Sequence, residues 1–370
     1  MKDEEYMRTA LEMAAQGRAQ TSPNPMVGAV VVKNGKIIGL GAHLKAGGPH
    51  AEVHALTMAG DQAEGAEVYV TLEPCSHYGK TPPCADLLIE KKVSRVIIAV
   101  KDPNPLVAGK GIEKLRKAGI KVDIGILEKE ALEMNKFFLN YVQTKTPYVT
   151  LKSAASLDGK TAAATGESKW ITGSGAREDV HRYRESHDGI LAGIETVLKD
   201  DPSLTCRLPN AKRQPVRIIL DTECRIPLKA KVVEDGIAET WVVTGINADQ
   251  NKVSALEKKG ITVLKLDSEK ITVKGLLALL GEKGITSLFV EGGSTVMGSF
   301  VKESAFNQMI LYLAPKLIGG IETLSIVGGE GIQIMADAKE LIFKEVSLIE
   351  KDIKIIAEPK QEDPSCLQEL

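Results

Sequence analysis

The chain has 370 residues, 43% of them hydrophobic and 26% charged, and a formal net charge of −2 from 47 Lys plus Arg against 49 Asp plus Glu. That size suggests two domains of about 150–200 residues each, and the balanced charge argues against a polyanion partner such as nucleic acid. Aromatic residues make up only 4%, too few for a base-stacking platform.

The opening Met1-Lys2-Asp3-Glu4-Glu5 is acidic and lacks the basic start and apolar run of a signal peptide. No run of about 18 apolar residues occurs, so no membrane span is expected. Five cysteines are sparse and odd in number, which speaks against a disulfide framework and for a reducing cytoplasm.

Residues 4–16 follow a helical pattern, with Tyr6, Ala10, Leu11 and Ala14 on one face. Ser22-Pro23-Asn24-Pro25 marks a turn. Val27–Val32 and Lys36–Leu40 then read as strands around an Asn34-Gly35 hairpin. A helix starts near His50 after Gly47-Gly48-Pro49. Strands are expected at 67–72, 95–100 and 121–126, and helices at 85–91, 111–118 and 128–143. Lys145-Thr146-Pro147 reads as the boundary between a first domain, 1–145, and a second, 146–358, with 359–370 a polar, disordered tail.

Beyond the boundary, strands are expected at 148–154, 189–193, 216–221, 241–244, 263–266 and 288–290. Helices at about 175–185, 249–259, 273–281 and 294–302 separate most of them. This alternation argues for a mostly parallel sheet covered on both faces. Gln308–Ala314 and Phe343–Ala357 read as a closing antiparallel pair of strands. Both domains are therefore α/β.

The pattern richest in chemistry is His50-Ala-Glu52, followed by Pro74-Cys75 and then Cys84. One imidazole and two thiolates suit zinc with an open position for water. Glu52, two residues from the histidine, suits a proton shuttle between that water and departing ammonia. Zinc nucleobase deaminases use such a set, with a second half that is usually P-C-x-x-C; here eight residues separate the cysteines. His50 as a helix cap with two core cysteines is the bland alternative, which the joint pattern disfavours. His54 does not complete a zincin pair, because the order is H-A-E-V-H rather than H-E-x-x-H.

Polar residues near these elements (Asn24, His43, His77, Lys80, Thr81, Asp102 and Asn104) are either substrate contacts or ordinary turn and surface residues. In the second half, Val290-Glu291-Gly292-Gly293-Ser294 is a strand entering a Gly-rich turn and a helix. It suits phosphate at a helix N-terminus, or merely a tight left-handed turn. Arg184 and Arg207 suit a phosphate or are surface arginines. Cys206 and Cys224 show no metal pattern. Read alone, this half is a nucleotide-binding α/β domain.

Residues 1–358 resemble the bifunctional deaminase/reductase family of riboflavin biosynthesis. The resemblance rests on Thr21-Ser-Pro-Asn-Pro-Met-Val-Gly28, His50-Ala-Glu52, and Thr71-Leu-Glu-Pro-Cys-Ser-His-Tyr-Gly-Lys-Thr-Pro-Pro-Cys84 with its long insertion. In the second half it rests on Leu151-Lys-Ser-Ala-Ala-Ser-Leu-Asp-Gly-Lys160, Ser168-Lys-Trp-Ile-Thr172, Asp200-Asp-Pro-Ser-Leu-Thr205 and Val290-Glu-Gly-Gly293.

The resemblance implies a three-layer cytidine-deaminase-like domain and a dihydrofolate-reductase-like domain, working on pyrimidine ribosylamine phosphates with Zn2+ and NADPH. It implies that His50, Cys75 and Cys84 bind zinc, that Glu52 moves protons, and that Asn24, His43, Lys80, Asp102 and Asn104 contact the deaminase substrate. Lys152 is implied as a reductase catalytic residue, with Ser168, Arg184, Asp200, Leu204, Arg207 and Glu291 on the substrate side. Ala154, Trp170, Thr172, Thr196, Thr222, Gly292 and Gly293 fall on the NADPH side. A homo-oligomer is expected from the same resemblance. The rival reading is a nucleic-acid base deaminase fused to a non-catalytic nucleotide-binding domain, which the charge balance and the long insertion oppose.

Overall fold

The computed structural model describes residues 3–76, 82–103 and 108–360, divided into two units at Lys145/Thr146.

In the first unit, α1 (Asp3–Ala15) precedes a hairpin of β1 (Gly28–Lys33) and β2 (Lys36–Ala42). Then come α2 (Ala51–Ala59), β3 (Glu67–Leu72), α3 (Cys84–Glu90), β4 (Arg95–Val100), α4 (Lys110–Lys117), β5 (Lys121–Ile124), α5 (Glu128–Met134) and α6 (Lys136–Thr144). The sheet order is β2-β1-β3-β4-β5, antiparallel around β1 and parallel from β3 to β5. The inner strands bury nearly every residue, as expected when helices cover both faces. One face packs Val31, Val68, Val70, Ile98 and Leu88; the other packs Met7, Leu11, Tyr69 and Ile97.

The expected helix over 128–143 is in fact two. The break is at Asn135, whose amide accepts from Met26 N–H (2.8 Å) and donates to Met26 O (2.9 Å). A tertiary bond to residue 26 thus fixes where the helices meet, which the local sequence does not announce.

The second unit runs β6 (Tyr148–Ser156), α7 (Ser174–Ser186), β7 (Gly189–Gly193), α8 (Ile194–Asp200), β8 (Val216–Leu220), α9 (Lys231–Glu234) and β9 (Thr240–Thr244). It continues through α10 (Gln250–Glu257), β10 (Thr262–Lys265), α11 (Val273–Glu282), β11 (Ser287–Val290), α12 (Ser294–Lys302), β12 (Gln308–Ala314), β13 (Leu341–Ile349) and β14 (Asp352–Pro359). The nine-stranded sheet has the order β10-β9-β8-β7-β11-β6-β12-β14-β13, with the first seven positions parallel. Apolar clusters cover its two faces, one around Ile190, Val242 and Phe289, the other around Leu151, Ile218 and Phe300.

Here too one expectation is corrected. Residues 343–357 are not a single strand: β13 and β14 form a hairpin turning at Glu350, which takes a left-handed φ of 53°. β14, not β13, pairs with β12. β14 also reaches Pro359, one residue into the expected tail; residues 361–370 lie outside the described residues.

Candidate active sites

His50 occupies the N-cap of α2 without capping it. Its Nδ1 instead faces Cys84 Sγ at 3.2 Å and Cys75 Sγ at 3.6 Å, and the three ligand atoms lie within 4.8 Å of one another. Cys75 follows β3 and Cys84 opens α3, whose first N–H donates to Cys75 Sγ at 3.3 Å. α2 lies close against β2 because β2 has glycines beneath it: a Cβ on Gly41 would collide with Ala51 O.

The donor set tests the metal. A tetrahedral zinc with S and N ligands at about 2.3 and 2.05 Å needs N···S separations of about 3.6 Å, and soft thiolates disfavour magnesium or calcium. The protonation pattern agrees. The hydrogen bond from Cys84, helped by His50, brings the Cys75 thiol down to about 4, while the same bond and burial push Cys84 up. At least one of the two sulfurs thus favours the thiolate form, the form that binds a cation. Among the described residues no other group of three His, Cys, Asp or Glu is so arranged.

Glu52 lies in the first turn of α2, only 3% exposed, and burial raises its carboxyl above the usual range. Carbonyls only accept, so His43 Nδ1, 3.0 Å from Pro49 O, carries the proton, and Nε2 accepts from Asn24 Nδ2 at 3.3 Å. Burial keeps this imidazole below its ordinary pKa, and its ring meets that of His50 edge-on. Asn24 and His43 are thus brought to the metal ligands. His54 is exposed on α2. Asp102 follows β4; Lys80, Asn104, His77 and Thr81 lie outside the described residues.

Sequence reasoning treated Glu73 only as a motif letter. Buried between β3 and Cys75, its carboxylate accepts from Asp102 N–H (3.3 Å), Gly109 N–H (3.0 Å), Gly111 N–H (3.0 Å) and Ile112 N–H (3.3 Å). One acidic side chain thus caps α4 and ties the loop after β4 to the metal-ligand strand.

In the second unit a cavity of about 500 Å³ opens beside the C-terminal ends of β6, β7 and β11. That is where ligands bind in open α/β sheets. Lys152 and Ala154, two apart on β6, present to it. Glu291 follows β11 directly and receives Arg184 in a two-pronged pair at 2.6 and 3.0 Å, with Lys152 Nζ at 3.6 Å. Burial pushes the Glu291 carboxyl up, but Arg184 and Lys152 outweigh it and hold it at about 2. Burial moves the Lys152 ammonium down, with Glu291 opposing.

Ser168, Asp200 and Arg207 also line this cavity, as do Trp170, Thr172 and Thr196. Gly292 and Gly293 join them at the N-terminus of α12, in extended rather than left-handed backbone. Gly292 is needed for space: a Cβ there would press on Val296. Leu204 and Thr222 are not brought to the cavity wall. Leu204 packs in the core, and Thr222 follows β8, its carbonyl accepting from Gly245 N–H.

Among the lining residues that escaped the sequence reading, Arg177 and His181 carry polar chemistry. Both share the face of α7 that carries Arg184. Arg177 stacks on the Trp170 ring at 4.5 Å and donates to Thr172 O at 2.6 Å. His181 Nδ1 accepts from Arg207 N–H at 3.3 Å. Their spacing, 177, 181 and 184, is the helical signal that would have found them.

The class defined by this fold and these two sites is a zinc deaminase joined to a nucleotide-dependent reductase. Family models agree: one described as "Cytidine and deoxycytidylate deaminase zinc-binding region" matches residues 1–100, and one described as "RibD C-terminal domain" matches 147–355. Riboflavin biosynthesis protein RibD of Bacillus amyloliquefaciens is 55% identical over 97% of this chain and 96% of its own. A solved structure of Acinetobacter baumannii RibD superposes with a TM-score of 0.89 at 42% identity, covering 97% of this chain and 99% of that one. The Thermotoga maritima structure named as a diaminohydroxyphosphoribosylaminopyrimidine deaminase and 5-amino-6-(5-phosphoribosylamino)uracil reductase gives 0.86 at 38% identity, over 96% and 98%. The chain belongs to the RibD family of riboflavin biosynthesis proteins, and is a bifunctional deaminase and reductase that uses zinc and NADPH.

Proposed function

We propose that residues 1–145 hydrolyse the exocyclic amine of 2,5-diamino-6-ribosylamino-4(3H)-pyrimidinone 5′-phosphate. The second unit, from residue 146 through the end of β14 at Pro359, then reduces the ribosyl group of the product to a ribityl chain. The observation that carries the reading is the His50, Cys75 and Cys84 cluster with buried Glu52 beside it.

His50, Cys75 and Cys84 hold the ion, which when bound lowers the pKa of a water toward about 7. Glu52 takes the proton of the attacking water and returns it to the departing amine; its buried, raised carboxyl suits carrying a proton both ways. Asn24 and His43 orient the ring, and Lys80, Asp102 and Asn104 contact the rest of the substrate. Water adds to the amine-bearing carbon, and ammonia leaves.

In the second unit NADPH supplies a hydride when bound. Ala154, Trp170, Thr172, Thr196, Gly292 and Gly293, all on the cavity wall, form its side of the site. Ser168, Arg184, Asp200, Arg207 and Glu291 form the substrate side, with arginine forks suited to phosphate. Lys152, held against Glu291, polarises the opening sugar. Ammonia release and NADPH oxidation on the diaminopyrimidine ribosylamine phosphate, with and without a chelator, test the scheme. Ammonia lost on chelation, and NADPH consumed only after deamination, is the expected result. Ammonia release without NADPH consumption would overturn the second half.

We also propose a homo-oligomer in the cytoplasm, where thiol ligands stay reduced. Among the described residues no helix is long and apolar enough to cross a membrane. β13 is a nine-residue edge strand exposing Ile342, Phe343, Val346 and Leu348, the last 74% exposed. A soluble monomer rarely leaves such an edge open, and a second copy covers it self-complementarily. Phe343→Lys with Val346→Lys should give monomers by light scattering; an unchanged assembly would place the interface elsewhere.

A further inference from the structure

Ser156-Leu157-Asp158-Gly159-Lys160 stands out in sequence, yet no role above absorbs it. In the structure it is a single tight turn at the end of β6. Gly159 takes φ +76°, Gly159 N–H donates to Ser156 O (2.9 Å), and Ser156 N–H to Lys160 O (2.9 Å). Ser156 Oγ donates to Asp158 Oδ1 at 2.6 Å, so the carboxylate is aimed before it meets anything distant.

It then meets a segment 160 residues further on. Ile318 N–H donates to Asp158 Oδ1 (3.1 Å) and Gly319 N–H to Oδ2 (2.6 Å). Leu157 N–H donates to Lys316 O (2.8 Å), Thr161 N–H to Leu324 O (2.9 Å), and Lys160 bridges to Ser325. Thr323 Oγ1 closes the bend with its single hydroxyl hydrogen shared between Gly319 O and Gly320 O, each at 2.8 Å.

Burial does not hold this segment: Leu317 is 78% exposed and Ile321 fully exposed. Hydrogen bonds do, and those to a charged acceptor are the stronger kind. The segment nonetheless shapes the reductase cavity. Leu324 and Ile326 line it, and Lys316 Nζ donates to the backbone carbonyl of Trp170 at 2.7 Å, tying the segment to the residue whose ring stacks on Arg177.

We propose that Asp158 is a positioning residue of the reductase, its carboxylate clasping the 316–326 segment as one wall of the ligand cavity. The inference rests on reading that cavity as the reductase site. The Ser156 hydroxyl, with the Gly319 and Ile318 N–H groups, holds the Asp158 carboxyl at about 2, so the clasp stays ionised at any working pH.

The test uses full-length Asp158→Asn and Asp158→Ala. Asn keeps one acceptor and Ala none, so a graded response is expected. KM for NADPH should rise about tenfold in Asp158→Asn and up to about a hundredfold in Asp158→Ala, with kcat changed less. Hydrogen exchange at Ile318 and Gly319 should accelerate in the same order. Wild-type KM in Asp158→Ala, or unaltered exchange at those two amides, overturns the clasp. Exchange reads the clasp without turnover, so a wild-type enzyme that consumes no NADPH would count against the reductase reading and leave this measurement decisive.

Discussion

Replacing Glu291 by Gln isolates the charge cluster at the floor of the reductase cavity. Arg184 and Glu291 are 12% and 10% exposed and Lys152 15%, so the triad is shielded from water. The carboxyl moves from an ordinary 4.5 to about 2, which at about 1.36 kcal/mol per pKa unit corresponds to about 3 kcal/mol of stabilisation. Removing one member of a buried ion pair independently costs about 3–5 kcal/mol. Lys152 can shed its proton, as its depressed pKa already favours; Arg184 cannot, so most of the cost falls on the guanidinium. About 3 kcal/mol is therefore expected at pH 7, or a drop of about 6–12 °C in melting temperature for a unit of this size.

Both tryptophans, Trp170 and Trp241, belong to the second unit, so tryptophan emission during denaturation reports on it alone. The sign follows from the depressed pKa. The stabilisation is complete above about pH 4.5 and is lost as pH falls toward 2, so the gap between wild type and Glu291→Gln should narrow between pH 5 and 3. A gap below about 1 kcal/mol at pH 7, or one that stays constant down to pH 3, would refute the reasoning.

Three further outcomes are expected. Glu52→Gln should keep one zinc per chain by metal analysis while ammonia release falls about 10²–10⁴-fold; retained deamination would remove Glu52 from proton transfer. Cys75→Ser, or chelation of the wild type, should abolish both zinc binding and ammonia release yet leave NADPH oxidation on already deaminated substrate; loss of both activities would contradict separate sites. His181 is held at about 4 by burial and by Arg184 and Arg207, with Glu291 opposing. Its contribution to stability is therefore present above about pH 6.5 and lost as pH falls toward 4. His181→Gln should flatten the stability profile in that window, and parallel profiles would exclude the effect.

The zinc site was legible because its chemistry is local: a histidine at a helix start, Glu52 two residues on, and two cysteines each at the end of an element. The βα alternation of the second half was legible for the same reason, since each period fits one element. Tertiary bonds were not. The helix break at Asn135 is made by Met26, 109 residues away, and the residues Glu73 restrains lie 29–39 residues further on. The hairpin within 341–359 was hidden because Glu350-Lys351 carries no glycine or proline to mark the turn. Leu204 and Thr222 came from the resemblance alone; Leu204 packs in the core, and neither is among the residues that line the cavity. His181 needed the register of α7, which periodicity gives only once the neighbouring Arg184 has been oriented.

β6 sits in the interior of the nine-stranded sheet with β11 on one side and β12 on the other, both parallel to it. Its alternation sends Leu151 into the apolar core and Lys152 toward the cavity. Adding or deleting one residue here would exchange the two faces along the remainder of the strand, and neither ladder could slip to absorb it without breaking the other. Evolution can therefore edit this strand by substitution but hardly by insertion or deletion, whereas the exposed 208–212 stretch is free to vary in length. Length variation among relatives should accordingly cluster in such loops and stop abruptly at the borders of β6.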